Sequence, residues 1–197
     1  MDQPLVEYLE TLYMTKGARS YGLEPVSQLE HALQCAFMAE DEGAGDDLVA
    51  ASLLHDLGHL VYDTCDTCAQ ATPRPVDDRH EHHEHRPIRM LRRHFGVPVL
   101  APIRLHVAAK RYLCAIDPDY RAELSAGSQR SLEMQGGAYT PDEARAFIAL
   151  PYAVDAVRLR TWDDRAKIPG KPTPGLGYFM KLLRRCAHEP ADLQSQT

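Results

Sequence analysis

The sequence has no long run of apolar residues and no excess of positive charge. Its first segment, MDQPLVEYLETLYMTKG, carries acidic residues early and lacks the apolar stretch of a signal peptide or a membrane span, so we expect a cytoplasmic protein. The formal net charge of -6 disfavours non-specific nucleic-acid binding, because an acidic surface repels phosphate backbones. We therefore expect neither a membrane nor a nucleic acid as partner.

Cysteine is also scarce. Five cysteines are an odd number, which leaves at least one unpaired and suits a reducing compartment better than a disulfide framework. Cys65 and Cys68 form a single C-x-x-C pair, and without a second pair this is a weak signal for zinc. We interpret them as loop cysteines.

Helical periodicity dominates the rest of the chain, whereas alternating strand patterns are scarce. With 44% hydrophobic residues and no break in composition, residues 1–186 are expected to form one all-α domain, followed by a flexible tail over 187–197. Capping boxes at Ser27–Glu30 and Thr140–Glu143 predict two helix starts. Helices are expected over 3–15, from Ser27 to Gly43, and over 47–62, 81–94, 98–114 and 141–166, with a loop over 63–78.

Three polar side chains interrupt an apolar helix in the run SLLHDLGHL, residues 52–60. Successive helical residues are about 100° apart, so His55 and Asp56 point in neighbouring directions and His59 returns to the His55 face. Buried polar groups need partners or a bound ion to offset lost hydration. Hydrogen bonding within the core is the alternative, but three such groups together favour a metal site. Seven of the ten histidines fall between His55 and His94, and histidine is the commonest metal ligand.

The order of these residues resembles a known superfamily. His31, the doublet His55-Asp56 and the downstream Asp163 are similar to the H…HD…D pattern of the HD-domain superfamily. This resemblance implies an all-helical HD-domain bundle that holds metal.

Two further histidines, His83 and His106, narrow the resemblance to the mixed-valent di-iron oxygenases, which include myo-inositol oxygenase and the organophosphonate C–P bond-cleaving oxygenases. The organophosphonate group is the closer match, because five segments resemble its own in the same order over most of residues 20–170. These are YGLEPVSQLEHALQ, LLHDLGH, HVAAKRYL, LSAGSQRSLEMQGG and RTWDDRAK.

The resemblance implies two iron ions, Fe(II) and Fe(III), and dioxygen as co-substrate. The implied ligands are His31, His55, Asp56, His83, His106 and Asp163. Asp56 is implied to bridge the ions, which a carboxylate with two oxygens is able to do. The metals would carry the redox chemistry and the protein would position the substrate.

The resemblance also implies a set of substrate-binding residues. Those that match phosphonate contacts are His59, Lys110, Ser128, Gln135 and Arg160. Helical spacing agrees for two of them, since Lys110 lies one turn after His106 and Arg160 three residues before Asp163. Both cations would form charge-assisted hydrogen bonds with a phosphonate.

Tyr21 and Glu24 resemble a mobile pair of the family. The tyrosine is implied to occupy an iron position until substrate displaces it, and the glutamate to hold the substrate amine. Together with His59 and Lys110, these two are the implied catalytic residues.

Two ligand positions have neighbours of the same type. The candidates are His82, His83 and His85 at the first and Asp155, Asp163 and Asp164 at the second. We prefer His83, which precedes a glutamate in the family-like HHE, and Asp163, which follows a tryptophan as in the family's WD.

The implied function is O2-dependent cleavage of the C–P bond of a small organophosphonate, 1-hydroxy-2-aminoethylphosphonate or its N-trimethyl analogue, releasing phosphate and glycine or glycine betaine. A trimethylammonium group would favour an aromatic cage, for which the candidates are Tyr13, Tyr21, Tyr112 and Tyr178. The alternatives are an HD-type phosphohydrolase that acts on a phosphate ester and a non-catalytic, metal-stabilised ligand sensor. The oligomeric state stays open.

Overall fold

Helices make up the regular structure of residues 5–61 and 83–188, which are the residues described by a computed structural model of the chain. The helices of these residues are α1 (Leu5–Lys16), α2 (Gln28–Asp41), α3 (Asp46–Leu54), α4 (Leu57–Val61), α5 (Ile88–Leu91), α6 (Val97–Ile116), α7 (Pro118–Glu123), α8 (Ala126–Met134), α9 (Pro141–Ile148), α10 (Ala153–Arg165) and α11 (Leu176–Cys186). In the same residues the sole β feature is an isolated bridge between Ser20 and Ser27. The all-α prediction is confirmed.

Both predicted capping boxes start helices. The Ser27 hydroxyl accepts a hydrogen bond from the Glu30 amide at 3.2 Å, and the Ser27 amide donates to the Glu30 carboxylate at 2.8 Å. Thr140 and Glu143 make the same reciprocal pair at the start of α9. These bonds satisfy amide groups that the first helical turn leaves without partners.

Four helices form the centre of the bundle and determine where the polar cluster lies. α10 packs on α6 and α2, and α3 packs on α2 and α6. Each of these helices supplies one buried polar residue to the centre of the bundle. His31 lies on α2, His106 on α6 and Asp163 on α10, and His55 directly follows α3. α11 covers α3 and α1 from outside.

Several predicted helix bounds are wrong. The expected helix over 47–62 is two helices, α3 and α4, with His55 and Asp56 in the turn between them. The expected helix over 141–166 is broken at Pro151, which has no amide hydrogen to donate, and Tyr152 after it adopts a positive φ of 63°. His83 lies in a turn, and only the short α5 forms within 83–94.

Three helices were not expected: α7, α8 and α11. The predicted loop over 63–78, Cys65 and Cys68, and most of the predicted tail lie outside the described residues. Within the described residues, no helix combines the length and apolar character that a membrane span requires.

Candidate active site

Four histidines and two aspartates from distant parts of the chain meet in the middle of the bundle. They are His31, His55, Asp56, His83, His106 and Asp163, all of them buried. Their donor atoms form two groups, and Asp56 belongs to both. This is the full set of ligands that the sequence resemblance implied.

The first group surrounds one oxygen of Asp56. The Oδ2 atom lies 3.6 Å from Nε2 of His31 and 3.3 Å from Nε2 of His55. Asp163 closes the group, with its Oδ1 atom 3.4 Å from Nε2 of His31. Two imidazoles and two carboxylates therefore converge on one point.

The second group surrounds the other oxygen of Asp56. The Oδ1 atom lies 3.2 Å from Nε2 of His83 and 3.7 Å from Nε2 of His106. The two imidazole nitrogens are 3.1 Å apart. The Asp56 carboxylate thus lies between two clusters of donor atoms, one on each oxygen.

Backbone carbonyls determine which ring nitrogens carry protons. Nδ1 of His31 lies 2.9 Å from the Ala166 carbonyl, Nδ1 of His55 2.9 Å from that of Ser52, and Nδ1 of His106 2.7 Å from that of Ile103. Because a carbonyl oxygen only accepts, a neutral imidazole in each place must carry its proton on Nδ1. The Nε2 lone pairs then all point towards Asp56, as in metal-binding histidines oriented by a carbonyl.

The residues present fit a pair of metal ions. The Asp56 Oδ2 atom is buried and has no hydrogen-bond partner among the described residues, and it faces lone pairs, so a cation is needed there to offset the cost of burial. Burial alone would raise the pKa of Asp163, but the Arg160 guanidinium and the neighbouring histidines outweigh it and hold this pKa below its usual range. Imidazoles and an ionised carboxylate suit iron.

A cavity of about 270 Å³ opens beside the second group and extends past Asp163. It is lined by all the predicted substrate and catalytic residues: Tyr21, Glu24, His59, Lys110, Ser128, Gln135 and Arg160. A molecule in this cavity would contact these side chains and the cluster of histidines and aspartates together.

Two buried cations face the cavity. Lys110 is 2% exposed and donates to the Ser131 hydroxyl at 2.5 Å, and burial together with the nearby Arg160 charge lowers the pKa of Lys110 to about 7. Arg160 donates to Ser128 at 3.2 Å and pairs with Asp163 at 2.7 Å. Both therefore lie where an anionic group would be bound.

The remaining predicted residues lie around the same space. The Tyr21 ring stacks on His31 with centroids 3.8 Å apart, and its hydroxyl donates to Asp163 at 3.4 Å. The His59 ring stacks on His83 at 4.4 Å. The Gln135 Oε1 atom is buried and has no hydrogen-bond partner in the described part of the chain. This amide oxygen is available to a donor on a bound molecule.

Comparison with known proteins agrees with this arrangement. No family model matches the chain. It is 40% identical over 173 residues to the hydroxymethylphosphonate dioxygenase of Gimesia maris, an alignment that covers 88% of this chain and 84% of the relative. The chain belongs to the phosphonate dioxygenase family.

Further relatives have lower identity. The glycine-betaine-forming 1-hydroxy-2-(trimethylamino)ethylphosphonate dioxygenase of Leisingera caerulea is 32% identical over 181 residues, covering 92% of this chain and 89% of the relative. An uncharacterised protein of Acanthamoeba polyphaga mimivirus is 29% identical over 178 residues, covering 90% of this chain and 80% of the relative.

The predicted oxygenase class is confirmed, and as a phosphonate dioxygenase the protein uses dioxygen and a metal. The comparisons favour this class over the phosphohydrolase and the sensor.

The geometry of this phosphonate dioxygenase distinguishes the neighbouring candidates for two of the predicted ligand positions. Asp163 points into the cluster, whereas Asp164 pairs with Arg160, and Asp155 is not in either group of donor atoms among the described residues. His83 is in the second group, whereas His85 is half-exposed. His82 lies outside the described residues.

A cavity-lining residue of the dioxygenase, and contacts behind the cavity wall, were not predicted. Lys167 lines the cavity and was not predicted. Its position four residues after Asp163, within the family-like RTWDDRAK, was a signal available in the sequence. Asp164 accepts a hydrogen bond from Nε of Arg160 at 2.9 Å and another from the Tyr120 hydroxyl. No local pattern indicated that Tyr120, on the unexpected α7, contacts Asp164 and Arg160.

Proposed function

We propose that this chain is a di-iron oxygenase that cleaves the C–P bond of a 1-hydroxyalkylphosphonate. One dioxygen is consumed for each phosphate released, and the carbon fragment leaves as a carboxylic acid. A 2-amino substrate would give glycine, its N-trimethyl analogue glycine betaine, and hydroxymethylphosphonate formate. The names of the relatives support oxygenation of a hydroxylated phosphonate.

The observation that carries the di-iron part of the proposal is the shared position of Asp56. One oxygen faces His31 and His55, and the other faces His83 and His106. The six side chains would hold one ion on each side of this carboxylate. An Fe(II)/Fe(III) pair would supply the redox chemistry that dioxygen activation requires, which zinc or magnesium lacks because neither changes oxidation state.

The phosphonate end of the substrate would be bound by Lys110, Ser128 and Arg160, which converge on one wall of the cavity. The Ser128 hydroxyl already accepts a hydrogen bond from Arg160, so its own proton is directed to another acceptor. Arg160 is permanently charged, whereas Lys110, with a pKa near 7, becomes fully charged when a phosphonate dianion lies beside it. His59 and Gln135 would complete the contacts.

Tyr21 would close the other side of the substrate space. Its ring covers His31 and its hydroxyl touches Asp163, so it excludes water from the first group of ligands. Substrate that enters the cavity would have to displace this side chain to reach the same ligands.

The proposal is tested with protein purified anaerobically. We expect about two irons per chain, and phosphate release that requires oxygen and matches oxygen uptake, with at least one of three compounds: hydroxymethylphosphonate, 1-hydroxy-2-aminoethylphosphonate or its N-trimethyl analogue. Phosphate release from esters without oxygen uptake would identify a hydrolase instead. Iron loading without turnover of any of the three would reject the proposed reaction.

A further inference from the structure

Lys167 lies between the two ends of the cavity. Its Nζ atom is 3.1 Å from the Ser128 hydroxyl, at the end where the phosphonate would bind, and 3.5 Å from Oε1 of Glu24. Both charged side chains are mostly buried, at 11% exposed for Lys167 and 13% for Glu24. Because the two charges are 3.5 Å apart and mostly shielded from solvent, salt and water screen their attraction only weakly.

Glu24 has further stabilising contacts. The Ser125 hydroxyl donates to the same Oε1 atom at 2.5 Å. Ser125 is the N-cap of α8, and a Cβ on Gly127 would lie 3.1 Å from Oε1, so the carboxylate lies against the first turn of that helix. A helix N-terminus favours negative charge. The charge of Glu24 is therefore balanced from within the protein before any substrate arrives.

The described part of the chain also lacks the aromatic cage that a quaternary ammonium would favour. Of the four candidate tyrosines, only Tyr21 lines the cavity among the described residues. Tyr13 is buried and donates to the Leu53 carbonyl, Tyr112 packs on Phe147, and Tyr178 is on the surface.

We propose that Lys167 neutralises Glu24, and that the enzyme thereby selects 1-hydroxyphosphonates with no positive charge at the carbon end, such as hydroxymethylphosphonate, over those carrying an ammonium group. An ammonium group placed at Glu24 would lie beside the Lys167 ammonium, and like charges at an interface are strongly disfavoured. With Lys167 paired to Glu24, the cavity lining still holds the cationic side chains of Lys110, Arg130 and Arg160, which suits a dianionic substrate better than a zwitterion. The inference rests on the proposed function.

Two measurements test the inference on the iron-loaded enzyme. Anaerobic titration calorimetry gives the Kd of hydroxymethylphosphonate and of 1-hydroxy-2-aminoethylphosphonate without turnover, and steady-state kinetics in air give kcat/KM for both. We expect the wild type to favour hydroxymethylphosphonate by at least about 10-fold in both quantities. A preference for the ammonium compound in the wild type overturns the inference, and this arm requires no variant to fold.

Substitutions then assign the preference to Lys167. We expect K167M to shift the ratio at least about 10-fold towards the ammonium compound, because Glu24 loses its cation, and K167R to keep the wild-type ratio. K181M, which removes an exposed lysine of α11, is the matched control. A K167M variant that weakens both compounds equally would make Lys167 a general phosphonate contact and overturn the inference. Turnover of neither compound, nor of the N-trimethyl analogue, would instead reject the proposed function itself.

Discussion

The Nη1 atom of Arg160 lies 2.7 Å from Oδ2 of Asp163, while the other oxygen of Asp163 faces His31. One carboxylate thus links a cation of the cavity wall to the cluster of histidines and aspartates around Asp56. The same guanidinium also donates to Ser128 and, through Nε, to Asp164. Arg160 therefore holds three acceptors in fixed positions, which uses the fork geometry of its donors.

Replacing Arg160 tests this arrangement. We expect R160K to lower kcat/KM for the best phosphonate by on the order of 100-fold, because one ammonium does not reach three acceptors and leaves buried partners unsatisfied. Steady-state oxygen uptake checks this. R165K, in an exposed pair with Glu42, is the matched control and should stay within about threefold of the wild type. If R160K behaves like R165K, Arg160 does not organise the cavity.

Replacing Asp56 tests the shared-ligand arrangement. We expect D56N to reduce the iron content from about two per chain to below about one, because an amide offers one uncharged oxygen where the carboxylate offers two charged ones. Iron is quantified by mass spectrometry after anaerobic loading and gel filtration. D164N removes a partly buried carboxylate that contacts Arg160 instead, and should keep about two irons. Two irons in D56N would contradict a bridging role.

Local chemistry explains what could be predicted. His55, Asp56 and His59 were recognisable because polar side chains inside an apolar run are costly to bury without a partner or a bound ion. The break before α10 was also signalled, by Pro151. The amphipathic pattern of α11, with Leu176, Phe179 and Leu183 on one buried face, was a signal that the prediction passed over.

Other features depend on tertiary contacts. The pairing of Glu24 with Lys167 joins a loop before α2 to the segment that follows α10, and no local pattern indicates it. The same holds for Tyr120, which reaches Asp164 from α7. α8 was missed because its serines and glycine are weak helix formers. The Ser125 cap and the burial of Ser128 and Leu132 override that propensity in the folded chain.

The pKa of Lys110 predicts a pH dependence. Burial and Arg160 lower this pKa to about 7, and a lysine is charged only below its pKa, so the free enzyme loses a phosphonate-binding charge as the pH rises through about 7. We expect kcat/KM to fall as the pH rises through about 7 and to give an alkaline limb in its pH profile. We expect kcat to fall at higher pH, because bound phosphonate raises the pKa of Lys110. K110R should remove the limb from kcat/KM between pH 6 and about 9, since arginine stays charged. An unchanged limb in K110R would assign the titration to another group.

A single glycine lies directly against the backbone of His83. Gly58 on α4 packs against the turn that carries His83, and a Cβ at Gly58 would overlap the carbonyl carbon and oxygen of His83. We expect G58A to displace that turn, to cost about 1–3 kcal/mol in stability, and to reduce iron to about one per chain, because the second ligand group loses an imidazole. Calorimetric Tm and iron quantification check both effects. G177A, at an exposed helical position of α11 with open space around it, should keep about two irons and a Tm no lower than the wild type, because alanine favours helix over glycine. A G58A protein with normal iron and Tm would mean that the turn is free to shift, so that the close approach of the two backbones does not hold His83 in place.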